Sequence, residues 1–139
     1  MQKSGSLHLT KKTEYGLFLL ATLAKRGKSG HLSINTIAQE NNVPLAFLQK
    51  IANSLQKQKL IKSERGKYGG HILAKPANKI TIREVVEVLE GQIAIAPCLR
   101  KGAKKCKHEN FCQIKNSLSK INDEIKDHFL SKTIDKITL

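Results

Sequence analysis

The sequence has no tryptophan, and aromatic residues make up only 4% of its 139 residues. Proteins that hold single-stranded nucleic acid stack its bases on aromatic side chains, so this scarcity argues against a single-strand binder. The longest apolar run, from Tyr15 to Ala24, is too short to cross a bilayer. The first residues, MQKSGSLHLTKK, lack the apolar core and the cleavage site of a signal peptide. We therefore expect a cytoplasmic protein with no membrane partner.

Acidic residues are scarce beside basic ones, since 11 Asp and Glu stand against 25 Lys and Arg, a formal net charge of +14. Such an excess attracts polyanions, and the best match for a chain poor in aromatic residues is duplex DNA. The sequence also lacks a phosphate-binding Gly-Lys loop and a nucleophile elbow, and its five His form no catalytic pattern. These features predict a DNA-binding protein that is not an enzyme.

Cysteine is limited to Cys98, Cys106 and Cys112, which all lie in the stretch CLRKGAKKCKHENFC. An odd number of thiols in a reducing compartment makes a disulfide framework the weakest interpretation. The thiols could hold an iron–sulfur cluster, whose negative charge the basic residues between them would offset. With His108 they could bind zinc, although the spacing C-x₇-C-x₅-C lacks the close pair of a zinc knuckle. A set of free thiols that acts as a switch is the third alternative.

Hydrophobic periodicity predicts three helices in the first half of the chain. The first runs from about Thr10 to Arg26, Ser33 caps the second, and Pro44 occupies the first position of the third. The third helix has an inner stripe of Leu48, Ile51, Ala52 and Leu55. The next stretch, LIKSERGKYGGHILAK, reads as strand, glycine-rich turn, strand. A helix-turn-helix followed by a basic hairpin is the order of a winged helix.

Two further helices are predicted beyond the hairpin. The first, TIREVVEVLEG, begins with a capping box of Thr81 and Glu84 and ends at Gly91. The second is long and polar, with a narrow apolar seam of Ile114, Leu118, Ile121, Ile125 and Phe129. A long terminal arm with one such stripe more often pairs with a second copy, so we expect a homodimer.

The expected architecture is therefore mainly α with a small β-hairpin wing. We divide it into a winged helix-turn-helix DNA-binding domain over residues 9–80 and a linking helix and loop over 81–97. A cysteine loop that binds the cluster follows over 98–112, and a long dimerisation helix over 113–132. This division puts the cysteines between the DNA-binding and dimerisation elements.

Several stretches together resemble the IscR/NsrR-type winged-helix regulators of bacteria. They are LTKKTEYGLFLLATLA, LSINTIAQENNVPLAFLQKIANSLQKQKLIKSERGKYGGHILAKP and ITIREVVEVLEG, followed by the three cysteines. The resemblance implies a homodimeric transcription regulator that binds an inverted-repeat operator in double-stranded DNA. It implies DNA contacts from Pro44, Leu45, Gln49, Lys50, Arg65, Lys67 and Tyr68. Gln and Lys can pair with adenine and guanine in the major groove, and an arginine suits a narrow minor groove.

The same resemblance implies that the three cysteines bind an iron–sulfur cluster, of the 2Fe–2S or 4Fe–4S type, which senses iron–sulfur, redox or nitric-oxide status. Some members supply a fourth ligand as a histidine three residues after the last cysteine, where this chain has Lys115. Others use a carboxylate near the start of the first helix, reaching across from the partner subunit, and Glu14 stands there. We expect Glu14 as the fourth metal ligand, with His108 as the alternative.

Two other functions remain open from the sequence. Some relatives of this fold regulate without any cluster, so the chain could be a thiol or metabolite-responsive regulator. A zinc-stabilised protein that binds nucleic acid without operator preference is the other alternative.

Overall fold

The computed structural model describes residues 7–26, 32–64 and 70–137. In chain order its elements are α1 (Lys11–Arg26), α2 (Ile34–Glu40), α3 (Leu45–Lys57), β1 (Ile61–Glu64), β2 (Gly70–Leu73), α4 (Ile82–Glu90), α5 (Lys115–Ser131) and α6 (Ile134–Ile137). Short 3₁₀ turns lie at Ala77–Lys79 and Pro97–Leu99. No helix within the described ranges is long and apolar enough to cross a membrane.

The helix starts follow the capping residues of the sequence. Ser33 has an extended backbone, and its side chain accepts a hydrogen bond from the Thr36 N–H, which satisfies a free donor of α2. Thr81 does the same for the N–H of Glu84 in α4. Pro44 differs from its prediction by one position: its ψ of 124° is extended, so Pro44 caps α3 and Leu45 is the first helical residue.

The hairpin is an antiparallel pair in which Ile61 lies opposite Leu73 and Glu64 lies opposite Gly70. A third segment joins it, because the Leu32 N–H donates to the His71 oxygen and the His71 N–H donates to the Leu32 oxygen, at 3.2 and 2.8 Å. Only glycine permits this approach, since a Cβ at Gly70 would lie 2.7 Å from the Leu32 carbonyl. The base of the wing is thereby attached to the chain that enters α2.

One hydrophobic core joins α1 to α4 with the end of the chain. Leu19 of α1, Leu48 of α3, Val85 of α4 and Ile134 of α6 are all fully buried in it. The sequence reading assigned no element after residue 132. The structure adds α6, which is attached because the Ile134 N–H donates to the Ile80 oxygen at 3.0 Å.

The predicted seam of α5 divides into two parts. Ile125 and Phe129 pack against the chain's own core. Ile121 and Ile114, nearer the start of the helix, keep 45% and 60% of their surface exposed. The C-terminal half of the seam therefore attaches α5 to its own domain, whereas in the N-terminal half Ile114 and Ile121 are exposed and Leu118 is half-buried.

Candidate DNA-reading helix and cysteine loop

Helix α3 has one buried face and one exposed face. Its predicted inner stripe is buried: Leu48, Ile51, Ala52 and Leu55. Pro44, Leu45, Gln49 and Lys50 are all exposed and lie at or near its N-terminal end. The N-terminal residues of a recognition helix are those that meet base edges in the major groove. The exposed set therefore suits DNA reading.

The turn that orients α3 depends on two asparagines. Asn42 has a φ of 54°, in the left-handed region that asparagine tolerates better than most residues. The Asn41 side chain donates to the Ile37 oxygen at 2.8 Å, and the Val43 N–H donates to the Ala38 oxygen at 2.9 Å. These bonds fix the angle between α2 and α3.

The hairpin is held against the other end of α3. Lys59, with a φ of 60°, turns the chain so that the Leu60 N–H donates to the Leu55 oxygen at 3.0 Å. The side chain of Gln56 then donates to the Ser63 hydroxyl of β1 at 3.3 Å. The predicted wing contacts Arg65, Lys67 and Tyr68 lie outside the described residues. They remain predictions, on a hairpin whose base is firmly positioned.

The three cysteines are free thiols with different environments. Cys98 is half-buried in the 3₁₀ turn Pro97–Leu99, whereas Cys106 and Cys112 are exposed. Cys98 and Cys106 line one cavity of about 460 Å³ together with Arg100, Lys101 and Lys104. Among the described residues, no three His, Cys, Asp or Glu side chains are arranged to hold a metal ion. The thiols must therefore approach one another before they can share one.

The segment that leads to Cys98 is attached to α5 by a buried side chain. The Asn122 amide nitrogen donates to the Ile93 oxygen at 3.1 Å, and its oxygen accepts from the Ile95 N–H at 2.9 Å. The Gln92 side chain accepts a further bond from the Lys101 N–H at 2.7 Å. Asn122 was not singled out from the sequence. The only sequence signal for it was an amide side chain directly after the apolar seam residue Ile121.

The segment between Cys106 and Cys112 is attached to α5 by an ion pair. The Lys115 ammonium lies 2.9 Å from one Glu109 oxygen, and both side chains are partly exposed. The hydrogen bond and charge of Glu109 raise the pKa of Lys115, and the sulfur atoms of Cys98 and Cys112 add a smaller electrostatic contribution in the same direction. The other Glu109 oxygen is shielded from water and has no hydrogen-bond partner in the described part of the chain. Lys115 thus tethers the loop to α5.

The two candidate fourth ligands are both exposed. Glu14 lies in the first turn of α1, where it pairs with the Lys11 ammonium at 2.8 Å. His108 lies in a turn closed by the bond from the Phe111 N–H to the His108 oxygen at 2.9 Å. The expected role of Glu14 involves a second copy of the chain. The structure of one copy does not test that role, so it stays a prediction.

Comparison with known proteins decides the family. The family model described as Rrf2, iron-dependent transcriptional regulator, matches residues 9–138. The chain belongs to the Rrf2 family. This membership confirms the resemblance to IscR/NsrR-type regulators and the expectation of a bacterial transcriptional regulator rather than an enzyme.

Individual relatives of this Rrf2 regulator include proteins with different names. The regulator CymR of Bacillus subtilis is 32% identical over 117 residues, 84% of each chain. NsrR of Oceanobacillus iheyensis is 30% identical over 114 residues, 82% of this chain and 78% of that protein. Both are named HTH-type transcriptional regulators, but under different individual names, so membership of the family does not decide which signal this chain senses.

Solved structures of relatives confirm the winged-helix fold. The structure of CymR, described as the global cysteine regulator of B. subtilis, aligns with a TM-score of 0.79 at 30% identity, covering 95% of this chain and 96% of that one. T. potens IscR aligns with a TM-score of 0.76 at 26% identity, covering 97% and 88%. The predicted fold class, mainly α with a hairpin wing, is therefore confirmed.

Proposed function

We propose that this Rrf2 regulator binds an iron–sulfur cluster on Cys98, Cys106 and Cys112, and that the cluster controls operator binding by a homodimer. The observation that carries the proposal is the set of three free thiols in one basic loop, tethered to the same helix on both sides of the cavity. Thiolates are the ligands that such clusters require. The donor set fits the cofactor by its chemistry, provided that the loop brings the exposed thiols together.

The chain's own residues would hold and shield the cofactor. The cavity that Cys98 and Cys106 share also contains Arg100, Lys101 and Lys104, whose positive charges suit a group with net negative charge. When bound, the cluster would supply a centre that responds to redox change and to nitric oxide. The three thiols would give that centre three attachments and leave a fourth to another donor.

For the fourth donor we propose Glu14 of a second copy. Glu14 is exposed, and its pairing with Lys11 joins two solvated side chains, so breaking that pair costs little. A carboxylate is a harder ligand than thiolate and would exchange more readily with an incoming signal molecule. Because Glu14 belongs to the first helix of the DNA-binding part, its attachment would link cofactor state to the orientation of that part.

The proposed DNA surface combines α3 with the wing. Gln49 and Lys50 would read bases in the major groove of each half-site, and Arg65 would enter the minor groove. A homodimer would bring two such surfaces to an inverted repeat. The exposed N-terminal half of the seam, Ile114 and Ile121, supports contact with a second copy through α5.

The test is to purify the full chain without oxygen, record its visible spectrum, and assay iron, sulfide and zinc. We expect a coloured protein with iron and sulfide, and each cysteine→Ala variant should lose both. Glu14→Gln should keep some cluster but make it labile, whereas Asp127→Asn, an exposed acid of α5, should behave like the parent. A colourless protein with stoichiometric zinc and no sulfide would refute the cluster.

Two further variants decide the fourth donor. His108→Asn tests the sequence alternative, and Glu109→Gln tests a carboxylate of the loop itself, whose unpartnered oxygen makes it eligible. If Glu14→Gln leaves the cluster unchanged while one of these two destroys it, the fourth donor belongs to the loop and not to α1.

A cluster-free thiol regulator is the second candidate function. It is favoured by the likeness to CymR, described as a cysteine regulator, and by thiols that do not converge. In that case the purified protein should contain neither sulfide nor metal. Its operator affinity should then respond to thiol oxidation, and Cys98→Ala, Cys106→Ala and Cys112→Ala variants should show which thiol responds.

A further inference from the structure

Asn122 is the one buried residue of α5, a helix that lies wholly within the described chain. Only 3% of its surface is exposed. A buried amide is stable only when its polar atoms have partners, because an unpaired one loses its bonds to water without replacement. Asn122 finds both partners in the backbone of one short segment, Ile93 to Ile95.

The Asn122 side-chain amide bonds to this segment in the same way as the backbone of a neighbouring β-strand, with one donor and one acceptor. It donates to the Ile93 oxygen and accepts from the Ile95 N–H, so two bonds fix both the position and the direction of the segment. The Gln92 side chain also accepts a hydrogen bond from the Lys101 N–H, which closes residues 92–101 into a loop. Cys98 lies inside this closed loop, on a 3₁₀ turn.

The other half of the cysteine region is held more weakly. Its attachment to α5 is the Glu109–Lys115 ion pair, in which both side chains reach solvent. Water and salt screen such ion pairs, so they contribute little to stability. Breaking a buried hydrogen bond costs more, because it leaves a polar group without a partner and away from water. Because the thiols do not yet converge, one half must move to bind a shared metal centre. The weaker attachment is the one that yields.

We propose that Asn122 is a positioning residue that holds Cys98 stationary, so that Cys106 and Cys112 close onto it when the cluster binds. The proposal rests on the cluster function proposed above, but its structural part concerns the chain without any cofactor. It assigns different roles to three chemically identical thiols. It also makes a residue of the long helix part of the cofactor site without being a ligand.

The test measures Cys98 alone, in a chain that carries Cys106→Ser and Cys112→Ser. Under anaerobic, metal-free conditions the rate of Cys98 alkylation by a maleimide is recorded with and without Asn122→Leu. Leucine has a similar size but makes neither bond, so labelling should become roughly tenfold faster as the loop opens. The matched control, Asn116→Leu, changes an exposed asparagine of the same helix and should leave the rate unchanged. An equal rate in all three chains would overturn the proposal.

A second measurement does not depend on a substitution being tolerated. In the unaltered protein, hydrogen exchange at the Ile95 amide should be much slower than at the exposed Lys104 amide, because the Ile95 N–H is bonded to Asn122 and partly shielded from solvent. Exchange as fast as at the exposed Lys104 amide would refute the proposed anchor even if Asn122→Leu failed to fold.

A third measurement, of iron and sulfide retention, distinguishes failure of this proposal from failure of the proposed cluster function. In the chain with all three cysteines, Asn122→Leu should lose iron and sulfide several-fold faster than Asn116→Leu during gel filtration. If the parent protein never binds a cluster, the proposed function fails while the labelling result still stands. If the parent binds a cluster and Asn122→Leu retains it equally well, Asn122 does not position the site.

Discussion

Replacing Ile121 by lysine tests whether two copies associate through α5. Ile121 and Ile114 keep 45% and 60% of their surface exposed, while Ile125 and Phe129 of the same seam are already packed. Full burial of an isoleucine side chain stabilises by about 1.5–3 kcal/mol. Scaled by the exposed fractions, burial of Ile121 would contribute about 1 kcal/mol and Ile114 slightly more.

A symmetric dimer buries each side chain twice, so these four isoleucines would together contribute about 3–6 kcal/mol to association. Ile121→Lys removes about 1 kcal/mol of this from each copy and also puts an ammonium against an apolar surface. An unpaired charge there costs several more kcal/mol, which exceeds what the rest of the seam supplies. The variant should therefore be monomeric at concentrations where the parent is a dimer.

The measurement is light scattering during gel filtration at several protein concentrations, with circular dichroism to verify that the variant is folded. Asn116→Lys is the matched control, because it adds the same charge to an exposed position of α5 outside the seam. A folded Ile121→Lys protein that remains a dimer would refute association through this seam. If Ile121→Lys and Asn116→Lys dissociated equally, the loss of the dimer would be an effect of the added charge and not of the seam.

The remaining predictions concern the hairpin and the end of α3. Arg65→Ala should cost about 1–3 kcal/mol of operator affinity and relax the preference at its base pair. Lys57 is an exposed basic residue in the last turn of α3, which suits a contact to phosphate, so Lys57→Ala should weaken all duplexes equally. A titration against matched operators and random duplexes tests both. Burial lowers the pKa of His71 from 6.5, so the folded protein binds this proton less well than the unfolded chain. Stability should therefore fall as the pH drops below about 6.5, and His71→Gln should remove that part of the pH dependence of thermal unfolding.

Much of the fold follows from local signals in the sequence. Ser33 and Thr81 mark helix starts because a side-chain oxygen satisfies a backbone donor within the same turn. The buried stripe of α3 follows from the spacing of its apolar residues. Pro44 shows the limit of such signals, since proline suits both the cap and the first turn and only the observed ψ distinguishes them.

Contacts between distant residues could not be read in this way. Thr81 and Glu84 were expected to form a reciprocal capping box, but the Glu84 carboxylate pairs with Lys75 at 2.8 Å instead. The charged partner comes from an earlier turn of the chain, and spacing within the helix contains no information about it. Asn122 was missed for the same reason, because its partners Ile93 and Ile95 lie beyond the cysteine loop.

Helix α5 brings the cysteine loop and the exposed seam into direct connection. Lys115, which tethers Glu109, is next to seam residue Ile114, and Asn122, which holds the Cys98 segment, is next to seam residue Ile121. The two anchors and the seam lie on different faces of the helix, so a rearrangement of the loop would reach the second copy only through movement of α5 itself. Since coupling between two binding events is reciprocal, a cluster that altered dimer affinity would itself be bound with a different affinity by monomer and dimer. Ile121→Lys should reveal this coupling in a chain that also carries Glu14→Gln, because without the Glu14 donor a cofactor site that is independent of the seam would load equally in monomer and dimer.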